Sequence, residues 1–258
     1  VFTIYYSRSQ LVREILISQP FTSLKELEER FPDVSSMTLR RDIEFCERHG
    51  DVIKVRGGAR SMKFIVHTEE ESYSRRANEN RQRKQRISRA AAKLIEPGRS
   101  IFIDAGTTAM ELTNFIPEAR LNITTSGANV ALALIKHDKI MVNLVGGLLN
   151  KESYSVSGPM SYSYINDINI DVAFISPSGF SLENGFTSGN YSECELKSLI
   201  MKKARKTVLL VLADKIGKSL PFTFCKLEDI DMIITDRPLP EDIYKSAKAQ
   251  NVSVIVAE

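Results

Sequence analysis

The chain is predicted to be an α/β protein that carries a small, mainly helical domain at its front. Two observations carry that expectation. Residues up to about Arg60 show helical periodicity broken by turns, whereas from Pro97-Gly98 onward apolar runs alternate with helical stretches. The apolar runs are continuous rather than alternating, as in strands covered on both faces of an open, mainly parallel sheet. With 258 residues, 43% hydrophobic and 26% charged, there is ample material for two cores.

In the front domain, Leu11, Ile15 and Leu16 are expected on one face of a first helix. Leu24, Leu27 and Phe31 share a face of a second, opened by Thr22-Ser23 as a cap. Phe31-Pro32-Asp33-Val34 is a turn, because Pro32 cannot continue the helix. Ser35 caps a third helix that carries Met37, Leu39, Ile43 and Phe45 and ends near His49-Gly50, with Met37, Leu39 and Ile43 facing inward. Val52 to Val55 is a short β-branched run, and Gly57-Gly58 marks its turn. The expected domains are 1–60, a basic helical linker 61–93, and an α/β domain 94–258.

The linker is rich in Arg75, Arg76, Arg81, Arg83, Lys84, Arg86 and Arg89, and Ile87, Ala90, Ala91 and Leu94 begin a helical stripe. It reads as a solvated helix leading into the next domain; attraction for phosphates or pairing in a dimer is the alternative. Beyond it, strands are expected at Ser100–Asp104, Leu121–Thr125, Met141–Val145, Val172–Ser176, Val208–Ala213, Met232–Thr235 and Val252–Val256. Helices are expected over Thr108–Ile116, Ala128–Lys136, Glu193–Ala204 and Glu241–Ala249.

The third helix and the hairpin after it have the anatomy of a winged helix-turn-helix, which makes double-stranded DNA the expected partner. A recognition helix needs side chains near its N-terminus that reach base edges, with phosphate anchors around them. Ser35, Ser36, Thr38, Arg40 and Arg41 occupy the cap and first two turns, and arginine can fork onto guanine or clamp a phosphate. Lys54, Arg56 and Arg60 lie on or just beyond the hairpin, suited to the flanking backbone. Net charge is only +3, so the clustering of these cations carries the reading rather than their number.

This stretch closely resembles the N-terminal domain of the DeoR family of bacterial transcriptional regulators. The resemblance rests on Ser35, Met37, Thr38, Leu39, Arg40, Arg41, Asp42, Gly50, Lys54, Val55, Gly57, Gly58 and Ala59. The turn Pro32-Asp33-Val34 is one residue longer than the family's usual glycine-containing turn. Membership implies a regulator, expected to be a repressor, that binds operator DNA as a homodimer or homotetramer.

In the α/β domain, Asp104-Ala105-Gly106-Thr107-Thr108 links a strand to a helix, where glycine allows close approach of a ligand and hydroxyls and helix amides supply anion donors. Thr125-Ser126 follows the next strand and Gly146-Gly147 the third. Open parallel sheets bind ligands outside the carboxyl ends of their strands, so a phosphorylated small molecule is the expected effector. Here too the chain resembles the DeoR family, through Asp104–Thr108, Thr125, Gly146-Gly147, Gly158, Asp171–Phe174, Ser178-Gly179, Gly185, Glu193, Ala213-Asp214, Asp231 and Thr235-Asp236. The resemblance implies a sensor domain with the fold of ribose-5-phosphate isomerase and glucosamine-6-phosphate deaminase. It implies a sugar phosphate or related metabolite held by Asp104, Gly106, Thr107, Thr108, Thr125, Ser126, Gly146, Gly147, Glu193, Asp214 and Lys215. Two departures stand out: Ser126 replaces the family's usual asparagine, and Asp214-Lys215 are adjacent where two small polar residues usually intervene.

An alternative reading is a sugar-phosphate isomerase or deaminase-like enzyme with an accessory domain, in which Asp104, Glu193, Asp214 and Lys215 take base and electrophile roles. A third is an effector-independent DNA-binding protein. His49, His67 and His137 fit no triad or metal spacing, and Cys194 has no histidine partner, so neither an enzyme, a metal nor a cofactor is expected. Cys46, Cys194 and Cys225 form no disulfide framework, which suits the cytoplasm. No apolar run reaches the roughly 18 residues of a membrane span. Val1-Phe2-Thr3-Ile4-Tyr5-Tyr6 lacks the basic flank and long apolar core of a secretory leader.

Overall fold

The computed structural model describes residues 8–19, 21–55, 57–61 and 73–258, with the side chain of Arg60 outside the description. Arg56 and His67 also lie outside the described residues. The chain divides into two compact units, Val1–Glu69 and Glu70–Glu258.

The first unit runs α1 (Arg8–Ser18), β1 (Phe21–Ser23), α2 (Leu24–Arg30), α3 (Ser36–Arg48), β2 (Val52–Val55) and β3 (Gly58–Ser61). Its core joins Val12 and Leu16 of α1, Leu27 of α2, Leu39, Ile43 and Cys46 of α3, and Val52 and Ala59 of the hairpin. On α1 the buried pair is therefore Val12 and Leu16, one helical turn apart, with Ile15 half-buried. Leu11 is turned outward, against the expectation from sequence. On α3 the inward set is Leu39, Asp42, Ile43 and Cys46. Met37, expected inside, is 62% exposed, because two residues before Leu39 lie roughly 200° around the helix from it. Phe45 is also exposed, its ring 4.1 Å from that of His49 at the helix end.

Ser35 does cap α3, its hydroxyl accepting from the Thr38 amide at 3.2 Å, and Ser23 caps α2 through the Glu26 amide at 3.1 Å. The turn between β2 and β3 needs Gly57, whose φ of +86° is unfavourable for other residues. The sequence reading had no β1. This three-residue strand pairs antiparallel with β3, giving the sheet order β1-β3-β2. Three residues that also serve as a helix cap carry no periodicity of their own.

In the second unit come α4 (Tyr73–Asn78), α5 (Arg81–Ala92), β4 (Ser100–Ile103), α6 (Thr107–Leu112), β5 (Leu121–Thr125), α7 (Ala128–Leu134) and β6 (Ile140–Leu144). There follow β7 (Leu148–Leu149), β8 (Val156–Ser157), α8 (Pro159–Asn166), β9 (Ile170–Ile175), β10 (Gly179–Ser181), β11 (Gly185–Ser188) and α9 (Tyr191–Lys203). The unit ends with β12 (Ala204–Val211), β13 (Phe222–Cys225), β14 (Met232–Thr235), α10 (Glu241–Ala249) and β15 (Ser253–Val256). A seven-stranded sheet of order β15-β14-β12-β9-β4-β5-β6 is parallel throughout.

Alternate residues of its strands feed two cores. Ile101, Ile103, Val208 and Leu210 pack on one face with Ile87 of α5, Leu112 of α6 and Val130 of α7. Phe102, Leu209 and Val211 pack on the other with Ile165 of α8, Ile200 of α9 and Ile243 of α10. Helix α5, read from sequence as solvated, instead buries Lys84, Ile87, Ser88 and Ala91 in this unit. Unforeseen elements are α8, the β7–β8 hairpin and a small antiparallel sheet β10-β11-β13. Among the described residues no helix is long and apolar enough to cross a membrane.

Candidate functional site

The residues expected from sequence to carry function fall into two sets, one in each unit. On α3, the hydroxyls expected to face DNA are used locally. Ser35 and Thr38 hydroxyls lie 2.9 Å apart within the cap, and Ser36 donates to Glu28 at 2.5 Å. The Lys54 ammonium is paired with Glu44 at 2.5 Å, which holds the Glu44 carboxyl below its ordinary range. Arg40 and Arg41 are exposed and make no ion pair among the described residues. They share the outward face of the helix with Met37. Helix α3 is anchored from behind: Arg8 of α1 donates to buried Asp42 at 3.1 and 3.3 Å. Arg13 forks onto Asp51 at 2.7 and 2.9 Å and depresses that carboxyl.

The second set surrounds a cavity of about 140 Å³ at the carboxyl ends of β4, β9 and β12, where the chain changes direction across the sheet. Gly106 begins α6 close against β9; a Cβ there would lie 2.6 Å from Ser176 Cβ. Asp104 is buried, and its Oδ2 accepts from the Lys197 ammonium at 2.8 Å and the Ser176 amide at 3.0 Å. Lys197 also donates to the Ser176 carbonyl at 2.8 Å. Glu193, one turn before Lys197 on α9, accepts from Ser153 at 2.6 Å, Ser155 at 2.5 Å and Asn150 at 3.2 Å. Asp214 is clamped by Arg83 of α5 at 2.6 and 3.0 Å, which lowers its carboxyl pKa. The same guanidinium reaches buried Asp236 at 2.6 Å.

Lys84 sits beside Arg83 on α5 and is buried against the cavity, donating to the Arg76 carbonyl. Burial, helped by the nearby Lys215, lowers its pKa to about 8. No carboxylate of the described residues pairs with it. Arg76, Lys215 and Lys218 add further cations to the lining.

Of the residues proposed from sequence, Asp104, Gly106, Thr107, Thr108, Glu193, Asp214 and Lys215 line this cavity. Ser126 reaches an adjoining recess against Asp104 and Glu193. Thr125, Gly146 and Gly147 line neither. Thr125 accepts the Gly127 amide at 2.9 Å, and the Gly146 carbonyl accepts from Ser161 at 2.5 Å, so both shape their loops. Ser176 and Lys197 were not foreseen, and Lys84 was expected only as one cation of the linker. For Lys197 a signal existed: four residues after Glu193, it falls on the same face of α9. The three cysteines are buried free thiols, and burial raises the pKa of each.

Residues 8–64 match the model of the DeoR-like helix-turn-helix domain, and residues 79–237 that of the DeoR C terminal sensor domain. The chain belongs to the DeoR family. It is a DNA-binding transcriptional regulator in which a sensor domain follows the helix-turn-helix. It is similar to the HTH-type transcriptional regulator GolR of Listeria innocua, with 33% identity over 89% of this chain and 90% of that one. With the HTH-type transcriptional repressor GlcR of Bacillus subtilis it shares 30% identity over 87% of this chain and 86% of that one. Among solved structures, ribose 5-phosphate isomerase A of Methanocaldococcus jannaschii overlaps 54% of this regulator and 56% of its own chain, at TM-score 0.41 and 15% identity.

Proposed function

We propose that this regulator is a cytoplasmic repressor whose hold on operator DNA is set by a small phosphorylated sugar or related metabolite in the cavity beside Lys84. The observation that carries the reading is Lys84 itself, a buried ammonium with no carboxylate partner among the described residues, which faces a cavity also lined by Lys215, Lys218 and Arg76. A buried cation of this kind favours an anionic ligand, which would restore what burial removed. The amides that open α6 at Thr107 and Thr108 have no intrahelical acceptors and add donors for the same phosphate. Asp104, Glu193 and the serines around them supply acceptors for sugar hydroxyls. A space of about 140 Å³ holds on the order of ten waters, so the ligand is compact.

Lys84 is also where the signal would leave. Helices α4 and α5 contribute Arg76, Asn80 and Lys84 to the lining, and they follow the DNA-binding unit in the chain. A ligand that binds one arrangement of α5 more tightly shifts the population toward it. On the DNA side the reading assigns base or phosphate contacts to Arg40 and Arg41, with Met37 beside them as an apolar contact. Ser35, Ser36, Thr38 and Lys54 support that face from within the domain. Binding without turnover is the reading we adopt. Asp104 is paired with Lys197 and Asp214 with Arg83, and Glu193 Oε1 accepts three donors, so each of these carboxylates is tied into the wall of the cavity.

Thermal-shift measurements with a panel of pentose and hexose phosphates, alongside gel shifts with DNA flanking the regulator's own gene, test this directly. A phosphate ester that raises Tm and changes DNA affinity, with both effects lost in Lys84→Met, is the expected result. DNA binding untouched by every ester, with no Tm rise, would favour an effector-independent regulator instead.

A further inference from the structure

Strand β6, Ile140–Leu144, closes one edge of the parallel sheet, and among the described residues no strand pairs with its outer side. Edge strands of monomeric proteins are usually blunted by charge, proline or a bulge. This one reads Ile-Met-Val-Asn-Leu and has none of these. Beside it, α7 turns Leu132 and Ile135 outward, and together with Ile140, Val142 and Leu144 they line an open apolar groove of about 480 Å³. Leu148 and Leu149, in the hairpin just after the strand, and Met160 at the start of α8 are exposed as well. Ile140 and Val142 are half-buried, and among the others exposure runs from 45% at Leu144 to 80% at Leu148.

We infer that this face is the seat of a second copy of the chain, docked edge to edge about a twofold axis. Three arguments select that occupant. The groove residues carry no charge, so a twofold, which sets each residue near its own equivalent, brings no like charges together. The exposed side chains of groove and hairpin amount to roughly 500 Å² of apolar surface per copy. That is close to the apolar share, about 65%, of the roughly 800 Å² that each partner buries in a standard homodimer. Finally, a helix-turn-helix reads one half-site, and its specificity is ordinarily completed by a second copy on the other half. A face of the sensor domain that joins two chains would serve this whether or not effector is bound.

Light scattering of the full chain without DNA or effector, compared with Leu132→Glu/Ile135→Glu, tests the assignment. Both side chains are already in solvent, so the double variant should keep its circular dichroism and melt close to the wild type. The wild type is expected at two chain masses or a multiple, and the double variant at half the wild-type mass or less. A wild type at one chain mass, or a folded double variant with unchanged mass, overturns the proposal. Should the double variant fail to fold, Ile135→Cys decides, because the native thiols are buried. A short bismaleimide should join Ile135→Cys into covalent dimers and leave Glu241→Cys, on the helix beside the opposite sheet edge, as monomers. Cross-linking of the second and not the first overturns it equally.

Discussion

On α3 the guanidinium groups of Arg40 and Arg41 stand in solvent without partners among the described residues, whereas in the cavity Asp104, Glu193 and Asp214 are each already engaged by neighbours. On the proposed function, the contrast follows from the ligands. A DNA duplex is a long polyanion whose binding is driven by releasing counterions from exposed cations, so the reading face leaves its arginines uncommitted. A small metabolite is recognised by groups held in place beforehand, so the cavity fixes its charges by internal pairing and leaves Lys84 as the exception.

The largest effect expected from breaking that contrast is in the cavity. Lys197→Met strands the Asp104 carboxylate in a buried site, which should cost roughly 3–5 kcal/mol. For a unit of this size that lowers Tm by roughly 10 °C. Adding Asp104→Asn should restore part of the loss, and a Tm within a degree of wild type for Lys197→Met would show that the pair is not what holds the floor of the cavity. On the DNA face the stability effect should be absent. Arg40→Ala or Arg41→Ala should each weaken operator binding by roughly 1–3 kcal/mol, about tenfold to a hundredfold, at fixed salt. The melting curve should not move, and unchanged gel-shift affinity in the double variant would remove these arginines from the interface.

Lys84 sharpens the comparison through pH. Its pKa of about 8 in the fold lies below the ordinary 10.5, so between those values the unfolded chain holds the proton more tightly. Stability contributed by this group therefore rises with pH across that window, and the penalty of the buried charge is fully present below about 8. An anionic effector should act in the opposite sense, raising Tm most below pH 8 and progressively less above it. Lys84→Met should raise the Tm of the unliganded protein and abolish the pH dependence of the ligand effect. A ligand-induced shift that is flat across this range would separate Lys84 from the phosphate. The smallest effect is local: Ser35→Ala removes the cap of α3 and should cost about 1 kcal/mol, read as a lower denaturant midpoint for the front unit. No change there would mean that the Ser35 hydroxyl is not what holds the start of the helix.

Much of this was legible in the residues. The strand-helix alternation marked the parallel sheet, since strands covered on both faces are apolar throughout, and β5 and β14 fall where the apolar runs do. Helix α3 and its cap were equally plain, because an N-cap serine and an i, i+3, i+4 stripe are local signals. Leu11 and Met37 face solvent because apolar character alone does not fix the side of a helix that a residue occupies. Short elements such as β1, β7 and β8 escaped because their pairing partners lie elsewhere in the chain.

By itself, then, the sequence determined the class of each domain, helix α3 with its cap and the strand-to-helix loops after β4 and β5, all of which depend on local periodicity and composition. Which side chains meet there was decided by tertiary structure. Lys197 reaches Asp104 across 93 positions, Arg83 reaches Asp214 across 131, and α5 became part of the sensor core rather than a solvated connector. Such contacts form because the crossovers of a parallel sheet bring distant strand ends together, and no spacing within the chain encodes that proximity.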